Sequence, residues 1–198
     1  MARPRNQPVE AVRAAALEVF WREGYEATSL SLLEEATATG RRSLLNSFGD
    51  KLGLFVLLLQ DFRAQAAAQM LAPMEAEGAG LEGIRESLAR LVAAGISPAG
   101  AKGCMICNTA RDAIAREPAV RAEIDLYFAR IKGAARTALD TAAAQGQLDP
   151  GRDRASLSAF LLGVVVAICT LARAGAAEET LRSLEREALA HLGVAPCR

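Results

Sequence analysis

The chain has 198 residues, zero net charge from 23 basic and 23 acidic side chains, and an apolar fraction of 52%. That length suits one or two small domains with a real core, and the modest glycine and proline content excludes collagen-like and disordered classes. Balanced charge excludes a global pull toward nucleic acid or membrane, so any such binding must come from clustering on one face.

Alanine dominates while β-branched and aromatic residues are few, which favours helices and predicts an all-α fold. Four cysteines, at 104, 107, 169 and 197, do not make a secreted-type disulfide framework. The opening "MARPRNQPVE" has no apolar stretch behind it and does not read as a signal peptide. A cytoplasmic chain with reduced thiols is the expectation.

Helical periodicity runs through most of the chain. A first helix over about 8–23 places Val12, Ala15, Ala16, Val19 and Phe20 on one face and stops at Gly24, a natural helix C-cap. Thr28, Ser29 or Ser31 can cap a short second helix ending near Glu35 or Ala36, with Ser31 and Glu34 in capping-box spacing. A third covers Arg41 to Ser47. Asp50 then caps a fourth, from about Lys51 to Pro73. Further helices are predicted over 81–94, 102–116, 118–145, 152–173 and 177–192, divided by "EGAG", "GISPAG", Pro118, "GQLDPG" and "AGAA". Three short helices followed by long ones predict two lobes, 1–50 and 51–198.

The stretch "ASLSAFLLGVVVAICTLA" before Arg173 carries no charge. Its strongly apolar part, Ala159 to Ala172, is shorter than the roughly 20 residues a membrane span needs, so a buried helix and no membrane partner are expected.

Helix, tight turn, short helix is the geometry that lets a second helix enter a DNA major groove. Leu30, Leu33, Leu44 and Phe48 have the spacing to pack on Val19 and Phe20, which leaves Arg41, Arg42, Ser43, Asn46 and Ser47 facing out. Arginine can pair with guanine, asparagine with adenine, and serine with bases or phosphates. Lys51 lies at the start of the next helix, where backbone N–H groups favour phosphate, and Arg3 and Arg5 form an arm able to reach the DNA backbone or minor groove. Thr28, Ser29, Thr39, Gly40 and Leu45 complete the expected DNA-facing set. An ordinary solvated polar face is the competing reading of the same residues.

Residues 15 to 55, "AALEVFWREGYEATSLSLLEEATATGRRSLLNSFGDKLGLF", resemble the N-terminal domain of the tetracycline-repressor (TetR) family of transcription regulators. The likeness rests on "AALEVFWREGYEATS", the alanine-rich end of the second helix, the Leu44–Phe48 spacing and the "FGDK" exit. It extends more weakly to "GCMICNTARD" and "LARAGAAEETLRSLEREAL". The resemblance implies a helix-turn-helix DNA-binding domain, a helical ligand-binding and dimerisation domain, and a homodimer on double-stranded operator DNA that a small-molecule effector releases. Where that family carries glycine, tyrosine and Lys-Glu, this chain has Ala38, Leu45 and Lys51-Leu52. An alanine costs energy if position 38 needs positive φ, and a leucine has no hydroxyl for phosphate.

In the larger lobe the 152–173 helix is apolar around nearly its whole circumference and must be covered on both sides. Together with 177–192, which carries Leu181, Leu184, Ala188 and Leu192 at helical spacing, it predicts a four-helix interface about a two-fold axis. Met70, Leu88, Cys104, Met105, Asn108, Arg111, Phe128, Phe160 and Val164 are the candidate lining of an effector pocket, although apolar positions of this kind also suit plain core.

"KGCMIC" carries one further reading. Cys104 follows Lys102 and has Cys107 one turn away, an arrangement for a thiol sensor of oxidants or electrophiles; two small buried hydrophobes explain the spacing as well. One CxxC with a single histidine, His191, does not complete a four-ligand zinc set without distant help from Cys169 or Cys197, so neither metal nor cofactor is expected. A thiol oxidoreductase would need a βαβ pattern, which is missing, and no other catalytic constellation is evident. An enzyme is not expected. A dimeric helical interaction protein with impaired DNA binding stands as the remaining alternative.

Overall fold

In the computed structural model of the protein, residues 7–194 are described. Arg3, Arg5 and Cys197 lie outside them. Among the described residues there are nine α-helices and no strand: α1 Val9–Glu23, α2 Leu30–Thr37, α3 Arg41–Phe48, α4 Lys51–Glu75, α5 Gly80–Ile96, α6 Met105–Thr109, α7 Pro118–Ala144, α8 Arg154–Arg173 and α9 Glu178–His191.

Helices α1 to α3 form around an apolar wedge. Val12, Ala16, Val19 and Phe20 recur at helical spacing on α1 and are buried against Leu33 of α2, Leu44 of α3 and Phe55 of α4. Each of the larger side chains contributes about 1.5–3 kcal/mol through removal from water. Phe20, Tyr25 and Phe55 pack as an aromatic cluster, with Phe55 5.0 Å from both partner rings. The loop between α1 and α2 begins at Gly24, whose φ of 81° suits glycine. Ser29, of the three candidates, caps α2 by accepting from Leu32 N–H.

The long α4 packs against α5 and α7, and α7 against α8. Leu58, Leu59 and Leu71 of α4, Ile84 and Leu88 of α5, and Ile131 and Leu139 of α7 lie in this core. Pro73 does not end α4. The helix continues to Glu75, because a proline in the last turn forfeits only one backbone hydrogen bond.

One predicted helix is corrected. The 102–116 segment is broken into a 3₁₀ turn over Pro98–Lys102, the five-residue α6, and a second 3₁₀ turn over Ala113–Arg116. Gly103, at φ 64°, turns the chain out of helical geometry, and the Asn108 amide folds back to donate to the Lys102 carbonyl at 2.8 Å. The apolar stretch of α8 is long enough to cross a membrane, yet it packs against α5, α7 and α9 and its most apolar window is 44% buried. The remaining surface includes Phe160, which is 40% exposed.

Candidate nucleic-acid interface and the cavity behind it

The turn between α2 and α3 is set by Ala38, the only non-glycine residue with positive φ among those described, at φ 48° and ψ 34°. It closes α2 by donating its N–H to Glu34 and Glu35 carbonyls. Glu34 then joins the two helices directly: its carboxylate accepts from Arg41 N–H at 2.6 Å and pairs with the Arg41 guanidinium at 3.3 Å. The result is a short α3 held at a fixed angle, with Leu44 buried and Arg41, Arg42, Ser43, Asn46 and Ser47 exposed.

Not every residue expected on the DNA side is available there. Thr28 is fully buried, and its hydroxyl donates to the Gly24 carbonyl at 2.6 Å, because the turn after α1 leaves that carbonyl in need of a partner. The Lys51 ammonium points back into the fold. It donates to the Tyr25 and Thr28 carbonyls, each at 2.8 Å, and lies 4.1 Å from the centre of the Tyr25 ring. Ser29 is exposed but occupied as a cap, Gly40 is exposed, and Thr39 and Leu45 are half-buried. Arg42, in contrast, is exposed and makes no ion pair or side-chain hydrogen bond with any described residue.

Behind this head lies a cavity of about 630 Å³ between α1, α4, α5, α7, α8 and the 97–104 loop. Leu17, Trp21, Phe62, Met70, Leu91 and Ile168 give it an apolar wall, and Gln65, Gln69, Arg90, Ser97 and Tyr127 bring polar groups to it. Of the candidate lining residues named from the sequence, Met70 and Cys104 lie on the wall of this cavity. Leu88 and Met105 are each 2% exposed in the core and away from the cavity wall. Val164 is buried elsewhere on α8, Phe128 is half-buried outside the wall, and Phe160 faces outward with its ring 4.9 Å from that of His191. Asn108 is spent on the Lys102 carbonyl, and Arg111 is exposed. Of these positions, Met105, Asn108 and Arg111 lie in the 102–116 segment that is broken into three pieces.

Three contributors lie outside the lining expected from the sequence. Trp21, on α1, donates its ring N–H to the Gly103 carbonyl at 3.0 Å and packs edge-on to Phe62. Lys102 sits 4.2 Å from the centre of the Trp21 ring and pairs with Glu18 at 2.8 Å, so α1 is tied twice to the loop that opens α6. Cys169, from α8, joins Cys104 and Cys107. All three are free and buried, and their sulfurs lie within 4.8 Å of one another. The Cys104 thiol is held well below its ordinary range by hydrogen bonds from Cys107 and then Cys169. Those two are pushed up, first through the same hydrogen bonds to Cys104, and burial pushes Tyr127 up beside them. A lone tryptophan half a turn off the apolar stripe and a cysteine inside an apolar run gave little sequence signal of this.

A family model described as bacterial regulatory proteins, tetR family, matches residues 12–58, and one described as the tetracyclin repressor-like C-terminal domain matches residues 80–188. An uncharacterized HTH-type transcriptional regulator of Bacillus subtilis (strain 168), YezE, is 33% identical over 130 residues, which is 66% of this chain and 65% of that protein; the match thus spans just under two thirds of that relative. The HTH-type transcriptional repressor ComR of Escherichia coli (strain K12) is 27% identical over 92% of this chain and 87% of its own length. Among solved structures, a cysteine-substituted form of the TetR family transcriptional regulator CifR, complexed with 26 bp double-strand operator DNA, superposes with a TM-score of 0.84 at 27% identity, over 95% of this chain and 98% of that one.

Proposed function

The chain belongs to the tetracycline-repressor family of bacterial regulatory proteins, and from that membership we propose that it is a ligand-responsive repressor that binds a quasi-palindromic operator as a homodimer. It carries no catalytic role in this reading. The observation that supports it most directly is the sharing of α1: this helix packs against α2 and α4, the two helices that hold α3, and Leu17 and Trp21 on it line the cavity. A molecule that fills the cavity therefore presses on the helix that positions α3.

In the operator-bound state, α3 of each subunit enters the major groove, with successive grooves about 34–36 Å apart. Arg42, Ser43 and Asn46 reach base edges or phosphates, and Ser29, Thr39, Gly40 and Arg41 flank them. The dimer is built on α8 and α9, where Phe160 of α8 lies open. The CifR relative bound to operator DNA is consistent with this arrangement.

The effector is a largely apolar small molecule with a few hydrogen-bonding groups, in keeping with the wall and with the glutamines, Arg90 and Tyr127 that converge on it. Its binding stabilises a head spacing that no longer matches the operator, and a coupling of about 1–3 kcal/mol is enough to change occupancy. A binding selection on random duplex DNA, followed by anisotropy titrations at several salt concentrations, tests the operator reading. A palindrome with half-sites one turn apart is expected; a folded dimer that enriches no sequence would overturn it.

A further inference from the structure

Cys104, Cys107 and Cys169 come together from two segments some sixty residues apart. Cys104 and Cys107 stand at the two ends of one turn at the start of α6, and Cys169 reaches them from α8. Gly103 makes the approach possible. A Cβ there would meet the Cys169 carbonyl at 3.1 Å and Arg173 Cβ at 2.9 Å, so only a glycine lets the chain pass α8 closely enough to set Cys104 beside Cys169. The cluster is also reachable, since Cys104 and Cys169 both line the cavity. Buried cysteines acting as small hydrophobes have no need to gather their sulfurs at one point.

Three sulfurs form a soft donor set. Three sulfurs around one ion at a bond length like that of zinc–thiolate stand about 3.5–4 Å apart, so a cluster within 4.8 Å closes on an ion by side-chain adjustments of about 1 Å. Charge selects among soft ions. The cations nearest the cluster are engaged elsewhere: Lys102 with Glu18 and the Trp21 ring, and Arg173 with the Lys102 carbonyl. An uncompensated charge here is costly, because Met70, Ile168 and Ala172 make the shared wall apolar. Three thiolates leave two negative charges on monovalent copper and one on zinc, which also wants a fourth ligand. On a trivalent ion they leave none.

We propose that Cys104, Cys107 and Cys169 form a three-thiolate site for a trivalent thiophilic ion of the arsenite class. Binding exchanges ligands without redox change. Three As–O bonds of arsenous acid break and three As–S bonds form, while each thiol proton leaves with a hydroxyl as water. The complex is neutral, as the apolar wall requires. Tyr127, whose hydroxyl lies 3.8 Å from the Cys104 sulfur, supplies a polar neighbour on the way in.

The test uses the reduced full-length chain without DNA, so its outcome stands apart from the operator reading. Sodium arsenite is titrated while native mass spectrometry reads stoichiometry and ultraviolet absorbance reads sulfur-to-arsenic charge transfer. One arsenic per chain, with loss of three hydrogens, is expected. Cys107→Ser and Cys169→Ser each then lose two hydrogens at most and bind at least about 100-fold more weakly, beyond the usual cost of changing residues around a site's ligands. Cys197→Ser binds as the parent chain does. No uptake, a loss of only two hydrogens by the parent chain, or zinc or monovalent copper displacing arsenite at equal concentration would each overturn the proposal. The hydrogen count on the parent chain needs no variant to fold.

Discussion

The indole N–H of Trp21 donates to the Gly103 carbonyl at 3.0 Å, joining α1 to the loop that begins the cavity wall. Trp21 is the only tryptophan of the chain. Its ring also lies 4.9 Å from that of Phe62, so the side chain is held from two sides. Trp21→Phe keeps an aromatic face there and removes the donor. Unfolding in urea should show a loss of about 1 kcal/mol, the usual net worth of one intramolecular hydrogen bond. A variant as stable as the parent would mean that water replaces the bond at no cost and that the tie is decorative.

Ala38 gives a prediction of opposite sign. An L-residue with a Cβ in the left-handed region costs roughly 1–2 kcal/mol, and glycine returns only part of that as unfolded-chain entropy. Ala38→Gly should therefore stabilise the protein by about 0.5–1 kcal/mol, whereas Ala38→Val, with its branched Cβ, should destabilise it by more than that. Urea midpoints of the two variants check the pair. If glycine lowers the midpoint, the backbone at φ 48° is not strained by the alanine.

Helices α1 to α4 show where the sequence was readable. Gly24, Asp50 and the Leu33, Leu44 and Phe20 spacing express local rules, and they placed α1 to α4 within a few residues. The exposed face of α3 followed from the same periodicity. What escaped depends on where a carbonyl ends up. Thr28 and Lys51 carry groups suited to phosphate, yet carbonyls freed by the α1–α2 loop lie closer and take both. The cavity escaped for a related reason: the 102–116 pattern reads as one helix, yet the chain leaves helical geometry at Gly103, where it passes close to α8, and again after Thr109. In the broken segment Asn108 is spent on the Lys102 carbonyl and Arg111 is exposed.

Arg41 and Arg42 are neighbours in sequence with different prospects. Arg41 is held by Glu34 and reaches Ser31, whereas Arg42 is free of such ties among the described residues. On an operator recovered by selection, Arg42→Ala should cost about 1–3 kcal/mol and relax preference at one base position if it pairs with a base edge. Arg41→Ala should cost less in specificity and act through the angle between α2 and α3. Anisotropy titrations against the operator and single-base variants separate the two; equal losses with unchanged base preference would place both on phosphates, with a salt slope lower by about 1 for each contact.

Glu123 offers a test of the larger lobe that needs no DNA. Its carboxylate, 7% exposed on α7, accepts from Arg63 at 2.9 Å and from Gln60 at 3.1 Å, both on α4. Removing one partner of a buried pair strands the other, and Arg63 keeps some access to water, so Glu123→Ala should cost about 2–3 kcal/mol. Because the pair is shielded from ions, the loss should persist when urea titrations are repeated near 1 M salt. The exposed Arg121–Asp125 pair two residues along the same helix is the internal comparison: removing Asp125 should leave stability unchanged at either salt concentration. If high salt erased the Glu123 effect, the carboxylate would be acting as a surface charge, and the α4–α7 junction would rest on its apolar contacts alone.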